Sequence, residues 1–341
     1  MKSTYKMKNF LYNAYAYFFY EYYRYFDMIV FRKDWDGIFT TNLVDLVKTT
    51  NTLYLDHEFN KNIFTKDNQE KFNTINRIEF SFMYNHSVEF LPKNTKTIIF
   101  GPNFNQPVDN LPDTVETIKF GYEFNHPVDN LPKTITDLVF KNEFNQPVDF
   151  FPDNLKKLRL GYKFNHSLDN LPPNLETLVI EGVFNKKLDN LPKSLKHLEI
   201  KGEFYHPLTN LPNLEVLKLG FYIRYRHSLL DLPDSIKILQ VPKDYPYTLT
   251  KLPKNIEEVY FYTETFDTNI NPIDTDEEYK QLRKIEISSD CTFKSQLYEK
   301  YGSIISTKLS YKHQQWAKEA EEHEESIRRS EDSYWNNDVG I

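Results

Sequence analysis

The sequence predicts a mainly β fold, a parallel β-solenoid of about twelve short strands in 20-residue coils with helical caps at both ends. The first observation is a strict interval of 20 between six phenylalanines, namely Phe104, Phe124, Phe144, Phe164, Phe184 and Phe204. A fixed period of this length is typical of coils that bury their apolar faces only by stacking on their neighbours. The second is a composition of 27 Phe and 24 Tyr against 9 Gly, which indicates an aromatic core.

The third observation is the pattern inside one repeat, whose positions we number as columns with the opening phenylalanine as column 1. Columns 1, 5, 8, 12, 15 and 17 are apolar in nearly every coil. Columns 15 and 17, such as Ile118 and Phe120, alternate with polar neighbours, which is typical of a short strand with one buried face. Columns 8 and 9 are mostly Leu-Pro, and proline lacks the N–H that a strand ladder needs. Each coil is therefore predicted to contain one strand and to turn at Leu-Pro.

The repeat resembles the FNIP repeat, a leucine-rich-repeat-like family of amoebozoa and giant amoeba viruses. The resemblance rests on the Phe-Asn-x-Pro openings at Phe104, Phe124 and Phe144, each followed by Val-Asp and then Leu-Pro or Phe-Pro. Two features differ from the family pattern: column 3 holds His, Gln or Lys instead of Ile, and the period is a compact 20 residues. The resemblance implies a leucine-rich-repeat-like solenoid and brings no enzymatic activity with it.

Four segments follow from these patterns. We predict a helical N-terminal cap at residues 1–50, the solenoid at 51–289, a helical C-terminal cap at 290–311 and a charged helix or disordered tail at 312–341. Caps are expected because an open solenoid exposes an apolar coil at each end. In the C-terminal cap Phe293, Leu297, Tyr301 and Ile305 recur every four residues, the spacing of one apolar helix face.

Composition limits the classes of partner and compartment. The formal net charge of −7 is too small to predict a general attraction to nucleic acid or to a membrane surface. The single cysteine, Cys291, excludes an intramolecular disulfide and fits a reducing compartment. Near the N-terminus, Glu21, Arg24 and Asp27 interrupt an aromatic run that a signal peptide or a membrane helix would keep apolar. We expect a monomeric cytoplasmic protein, in the host cytoplasm if it is viral, that binds neither nucleic acid nor membrane.

Two polar columns are candidate structural ladders. Column 2 holds Asn105, Asn125, Asn145, Asn165 and Asn185, whose amides can bond the backbone of their own and the adjacent turn. Column 6 holds Asp109, Asp129, Asp149, Asp169 and Asp189. We interpret each aspartate as the cap of an Asx turn ahead of Leu-Pro, and the alternative is a row of weak calcium sites, because carboxylate oxygens suit Ca²⁺.

Column 3 alternates between histidine and glutamine, and its histidines, two coils or ~10 Å apart, cannot share one zinc ion. We interpret this column as surface variation. The sequence contains no Ser-His-Asp arrangement, phosphate-binding loop or dinucleotide fingerprint. We therefore assign no catalytic residue, metal ligand or cofactor site.

The strand face, defined as the outward side chains of columns 14 and 16, varies freely while the core columns repeat. Solenoids commonly bind through such a face, and its mixed chemistry suits a protein partner of unknown identity. The predicted contact residues are Lys157, Arg159, Val179, His197 and Glu199. The predicted function is thus a non-enzymatic protein–protein interaction scaffold.

One alternative function follows from the resemblance. Some FNIP-repeat proteins carry an N-terminal F-box that docks a cullin-type ubiquitin ligase, while the repeats hold the substrate. Residues 1–50 would have to fold as a divergent F-box, but Leu43, Val44, Leu46 and Val47 are too few for its usual three-helix pattern. The simpler cap is preferred.

Overall fold

The structure is a computed structural model that describes residues 22–25, 28–35, 41–211, 213–220, 223, 225–242, 245–261, 273, 279–288 and 294–308. Its contacts group the chain into two compact units, Met1–Leu214 and Glu215–Ile341. The predicted tail at 312–341 and the degenerate column 1 residue Phe266 lie outside the described residues.

The first unit contains an N-terminal hairpin strand (β1, Tyr22–Tyr25) followed by parallel strands, one for each coil. The strands are β1 Tyr22–Tyr25, β2 Met28–Phe31, β3 Thr52–Leu55, β4 Arg77–Glu79, β5 Thr97–Ile99, β6 Thr117–Lys119, β7 Asp137–Val139, β8 Lys157–Leu160, β9 Thr177–Ile180 and β10 His197–Ile200. From β2 onward each strand pairs in parallel with the next one in the chain. The register joins equal columns, as in Ile118 opposite Leu138 and Leu138 opposite Leu158. The prediction of one strand for each coil of about 20 residues is confirmed, with an interval of 25 residues between Leu53 of β3 and Ile78 of β4.

The second unit repeats this architecture with five parallel strands. They are β11 Val216–Leu219, β12 Ile238–Val241, β13 Glu258–Phe261, β14 Lys284–Ser288 and β15 Ile305–Lys308. The twelve strands expected from the sequence correspond to β3 through β14.

The core consists of the repeated apolar columns, as predicted. In the central coil they are all buried, namely Phe144, Val148, Phe151, Leu155, Leu158 and Leu160. Phe144 stacks on Phe140, which directly follows strand β7, at 3.7 Å between ring centroids, and on Phe124 and Phe164 of the adjacent coils at 6.1 Å each. The Leu-Pro side turns as expected, because the proline carbonyl accepts the column 12 N–H, for example Val115 N to Pro112 O at 3.0 Å. Aromatic stacking therefore runs from coil to coil through the repeats.

The N-terminal cap differs from the prediction. Strands β1 and β2 form an antiparallel hairpin, and β2 pairs in parallel with β3. In the described part of residues 1–50, the one helix is α1, Thr41–Val47. The reason is local: Met28–Phe31 reads Met-Ile-Val-Phe, whose β-branched and aromatic residues favour a strand, and its pairing covers an otherwise open edge of β3.

The C-terminal cap is helical only in part. Helix α2 spans Lys294–Tyr301 and is followed by a 3-10 turn, Gly302–Ile304, after which Ile305 begins β15. Gly302 has a φ of 55°, a left-handed conformation that ends a helix, so the predicted continuation to Ile305 is wrong. Neither helix in the described part of the chain is long and apolar enough to cross a membrane.

Candidate functional site

Column 2 forms an asparagine ladder along the first unit. The backbone N–H of each asparagine donates to Oδ1 of the asparagine one coil earlier, at 2.9 to 3.0 Å. The donors are Asn105, Asn125, Asn145, Asn165 and Asn185, and the first acceptor is Asn85. The ladder satisfies backbone groups on a side of the coil that has no strand.

Column 3 joins this ladder, a role that the sequence did not indicate. Nε2 of His126 lies 3.1 Å from the carbonyl oxygen of Asn105, and Nε2 of His166 lies 3.0 Å from that of Asn145. In an intervening coil, Gln146 donates its side-chain amide to the Asn125 carbonyl at 3.1 Å. Because a carbonyl oxygen only accepts, each of these histidines carries a proton on Nε2. Histidine and glutamine can both supply this donor at column 3.

Most column 6 aspartates bond to the next coil, and Asp169 also accepts a hydrogen bond from Ser167 of its own turn. Oδ1 of three aspartates accepts from the side-chain amide of the column 7 asparagine one coil later, at 3.1 Å each, in the pairs Asp109–Asn130, Asp149–Asn170 and Asp169–Asn190. Asp189 accepts from Thr209 at 3.4 Å. Asp129 has Phe150 at that position of the next coil, and this phenylalanine is 70% exposed. Hydrogen bonds from Ser167 and then Asn190 lower the pKa of the Asp169 carboxyl.

The geometry of column 6 does not favour the calcium alternative. Within the described ranges, no group of three or more His, Cys, Asp or Glu residues could hold a metal ion. The column lies on an exposed surface, and its carboxylates accept bonds from amides and hydroxyls of the next coil. Such pairing stabilises stacking without any cation.

Column 11 forms a second ladder that sequence reasoning missed. Its side chains donate to the column 10 carbonyl of the preceding coil at 2.6 to 2.9 Å, and they are Asn94, Thr114, Thr134, Asn154 and Asn174. The recurrence of Thr or Asn at this column was the available signal, because both side chains can donate a hydrogen bond to a carbonyl.

The basic depression lies on the strand face of the first unit. It has a volume of about 350 Å³ and is bordered by strands β6 to β9. Column 16 places Lys119, Val139, Arg159 and Val179 opposite one another in successive strands. Column 14 adds Asp137 opposite Lys157. The lining thus alternates basic and aliphatic side chains across the strands.

Three of the five predicted contact residues line this depression, namely Lys157, Arg159 and Val179. The other two lie on the next strand, where His197 is opposite Thr177 and Glu199 is opposite Val179. Nε2 of His197 lies 3.9 Å from a carboxylate oxygen of Glu199, too long for a hydrogen bond. The structure therefore brings the basic residues together and places His197 and Glu199 beside them.

A carboxylate outside the strand face orients Arg159. Nη1 of Arg159 donates a hydrogen bond to Oε1 of Glu181 at 2.8 Å. Nζ of Lys201 donates to the same oxygen at 3.3 Å. Glu181 occupies column 18, where several coils carry glycine. Because these side chains are partly exposed, the pairs contribute little stability, but the bond to Glu181 favours one position of the Arg159 guanidinium beside the depression.

A family model named FNIP Repeat matches the chain at residues 84–123, 124–163, 147–181 and 164–202. The match runs without a gap from residue 84 to residue 202, so this stretch is similar to FNIP repeats. The matched stretch contains the asparagine ladder from Asn85 to Asn185 and strands β5 to β10. All residues that line the basic depression therefore lie within the stretch that matches the FNIP repeat model.

A solved structure supports the fold assignment. The crystal structure of CroV588, a giant-virus protein described as a novel circular LRR protein structure, matches 79% of this chain at 20% identity with a TM-score of 0.51. The match covers 51% of CroV588, so this chain spans about half of that protein's length. At this identity the likeness shows a leucine-rich-repeat-like fold alone. No curated protein matches the chain.

Proposed function

We propose that this chain is a non-enzymatic protein-interaction scaffold and that the strand face of its FNIP repeats binds a partner protein. The observation that carries the proposal is the basic depression, which combines variable side chains on β6 to β9 with a concave volume of about 350 Å³. A depression that mixes aliphatic and charged groups offers both apolar contact and orientation to a partner.

The repeated columns support the same conclusion by elimination. The apolar columns are buried in the core, and the asparagines of column 2 bond to the next coil. Column 6 and column 11 also bond between coils. Columns 14 and 16 form none of these ladders and differ from coil to coil, so they are well placed to recognise a partner.

Proximity labelling in cells that express the chain tests this proposal. The strand-face variant carries Lys157→Glu, Arg159→Glu and Glu199→Lys. The control variant carries Lys133→Glu, Lys193→Glu and Asp113→Lys, which change the net charge equally at exposed positions of the Leu-Pro side. Both variants are first matched to the wild type in their urea unfolding midpoints.

We expect partners that are labelled by the wild type and the control but lost from the strand-face variant, and that bind the purified wild-type chain directly. The same partner list for all three proteins, or equal losses in both variants, would overturn the proposal.

The ubiquitin-ligase adaptor gains no support from the described part of residues 1–50. That part contains strands β1 and β2 and a single seven-residue helix, whereas an F-box needs three helices. The scaffold function therefore stands alone as the proposal.

A further inference from the structure

We propose that the basic depression binds an acidic, extended peptide segment of the partner. This inference rests on the proposed function and makes the partner's chemistry specific. Three observations support it: the positive charge around the depression, the lack of ion pairs to its lysines, and the distance between its cationic side chains.

The local charge is opposite in sign to that of the whole chain. Lys119, Lys141, Lys157 and Arg159 line the depression, and Asp137 is the one carboxylate among its lining residues. The full sequence carries a formal net charge of −7. A positive site on an acidic protein attracts an anionic segment while the rest of the surface repels nonspecific polyanions.

The lysines of the depression lack internal partners, unlike comparable lysines elsewhere. In the described part of the chain, Lys119, Lys141 and Lys157 form no ion pair with a carboxylate. By contrast, Lys96 pairs with Glu116 at 2.9 Å on a neighbouring side of the same repeats. Asp137 lines the depression without forming an ion pair with any of these three lysines, so a partner can supply the carboxylates that pair with them.

The spacing favours an extended segment over a globular acidic surface. Lys119 and Arg159 lie in the same column two strands apart, with Val139 between them. Two parallel-strand spacings amount to ~10 Å. A polyproline II segment rises ~3.1 Å per residue with three residues per turn, so acidic side chains at positions i and i+3 lie ~9 Å apart on one side. Such side chains would reach both cations while the intervening residues contact Val139.

The guanidinium of Arg159 has N–H donors available for a carboxylate of the peptide. Its Nη1 is held by Glu181, which leaves the other N–H groups of a five-donor fork to bind a carboxylate. Because Lys201 also contacts Glu181, that single carboxylate does not neutralise both cations.

Fluorescence anisotropy with a labelled (Glu-Pro-Pro)₄ peptide tests the proposal, with (Gln-Pro-Pro)₄ as the uncharged probe and a single-stranded RNA oligomer as the competing polyanion. The site variant is Lys119→Glu with Lys157→Glu. The matched control is Lys133→Glu with Lys193→Glu, which changes the net charge equally on the Leu-Pro side.

We expect the acidic peptide to bind the wild-type and control proteins, and the site variant to bind it at least about tenfold more weakly. Binding should also weaken as salt rises, because the Debye length falls from about 10 Å at 0.1 M to about 3 Å at 1 M. Equal weakening by the site and control variants, equal binding of the Gln peptide, or stronger binding of RNA would overturn the inference.

The outcomes separate this inference from the proposed function. If proximity labelling shows partners that depend on the strand face but the acidic peptide does not bind, the inference fails and the scaffold function stands. If the peptide binds but the strand-face variant labels the same partners as the wild type, the peptide site is real and the proposed function fails.

Discussion

The side-chain oxygen Oδ1 of Asn125 accepts both the backbone N–H of Asn145 at 2.9 Å and the side-chain amide of Gln146 at 3.0 Å. One asparagine thus joins two coils through two hydrogen bonds. Replacing Asn125 by Ala removes both bonds, and we expect the free energy of unfolding to fall by about 1 to 2 kcal/mol. Urea denaturation followed by circular dichroism measures this loss. Asn125→Asp keeps the acceptor oxygen and should cost less, so an equal loss in both variants would contradict the ladder.

Phe144 lies at the centre of the aromatic stack, and none of its surface is exposed. Phe144→Ala should lower the free energy of unfolding by about 3 to 5 kcal/mol, because neighbouring coils cannot close the cavity. Tyr162→Ala is the control, since Tyr162 is 61% exposed and should change stability by less than about 0.5 kcal/mol. A loss under about 1 kcal/mol for Phe144→Ala would show that this residue is not in the core.

Gly161 permits a close approach between coils. A Cβ at this position would lie 1.8 Å from the backbone carbonyl oxygen of Lys141, so alanine requires the backbone to shift. We expect Gly161→Ala to destabilise the protein by about 1 to 3 kcal/mol in chemical denaturation. Lys141→Ala, at the same column one coil earlier, should stay within about 0.5 kcal/mol of the wild type. Equal stability of both variants would mean that the coils are not packed this closely.

The buried phenol of Tyr245 should make the free energy of unfolding depend on pH in the alkaline range. Burial raises the pKa of its phenol to about 12 from an ordinary value of 10.0, partly offset by the hydrogen bond that the Leu229 N–H donates to its oxygen. A raised pKa gives stability that is fully present below pH 10 and lost as the pH rises towards 12.

We expect the wild type to lose on the order of 2 kcal/mol more than Tyr245→Phe over this interval. The measurement is urea unfolding of both proteins at a series of pH values. Parallel curves for the two proteins would remove Tyr245 as the source of the loss.

The core and the strands could be predicted because they depend on spacing along the chain. Phe144 and Leu158 recur at fixed columns, and a fixed period has one physical explanation, which is stacking. The cap hairpin could not be predicted in the same way. Its strand Met28–Phe31 lies in a tyrosine-rich segment without a clear period, and its pairing with β3 decides its conformation.

The candidate site depends on contacts that the linear pattern hides. Arg159 owes its orientation to Glu181, 22 residues later, and the sequence gives no reason to connect the two. Likewise, the sequence suggests that His126 and Gln146 are variable surface residues. The structure shows that each is bonded to an asparagine of the preceding coil. The sequence therefore predicted which face varies, but not which side chains on it meet.

Each ladder connects only consecutive coils, and equal columns make equal contacts. Deleting residues 124–143 would bring the Asn145 N–H to Oδ1 of Asn105, an acceptor of the same kind as the one it lost. Unequal recombination can therefore add or remove whole coils and keep the same contacts at the junction. A deletion of ten residues would instead break the bonds of all the ladders at that junction. Natural variation in the length of such a chain should accordingly occur in steps of one coil.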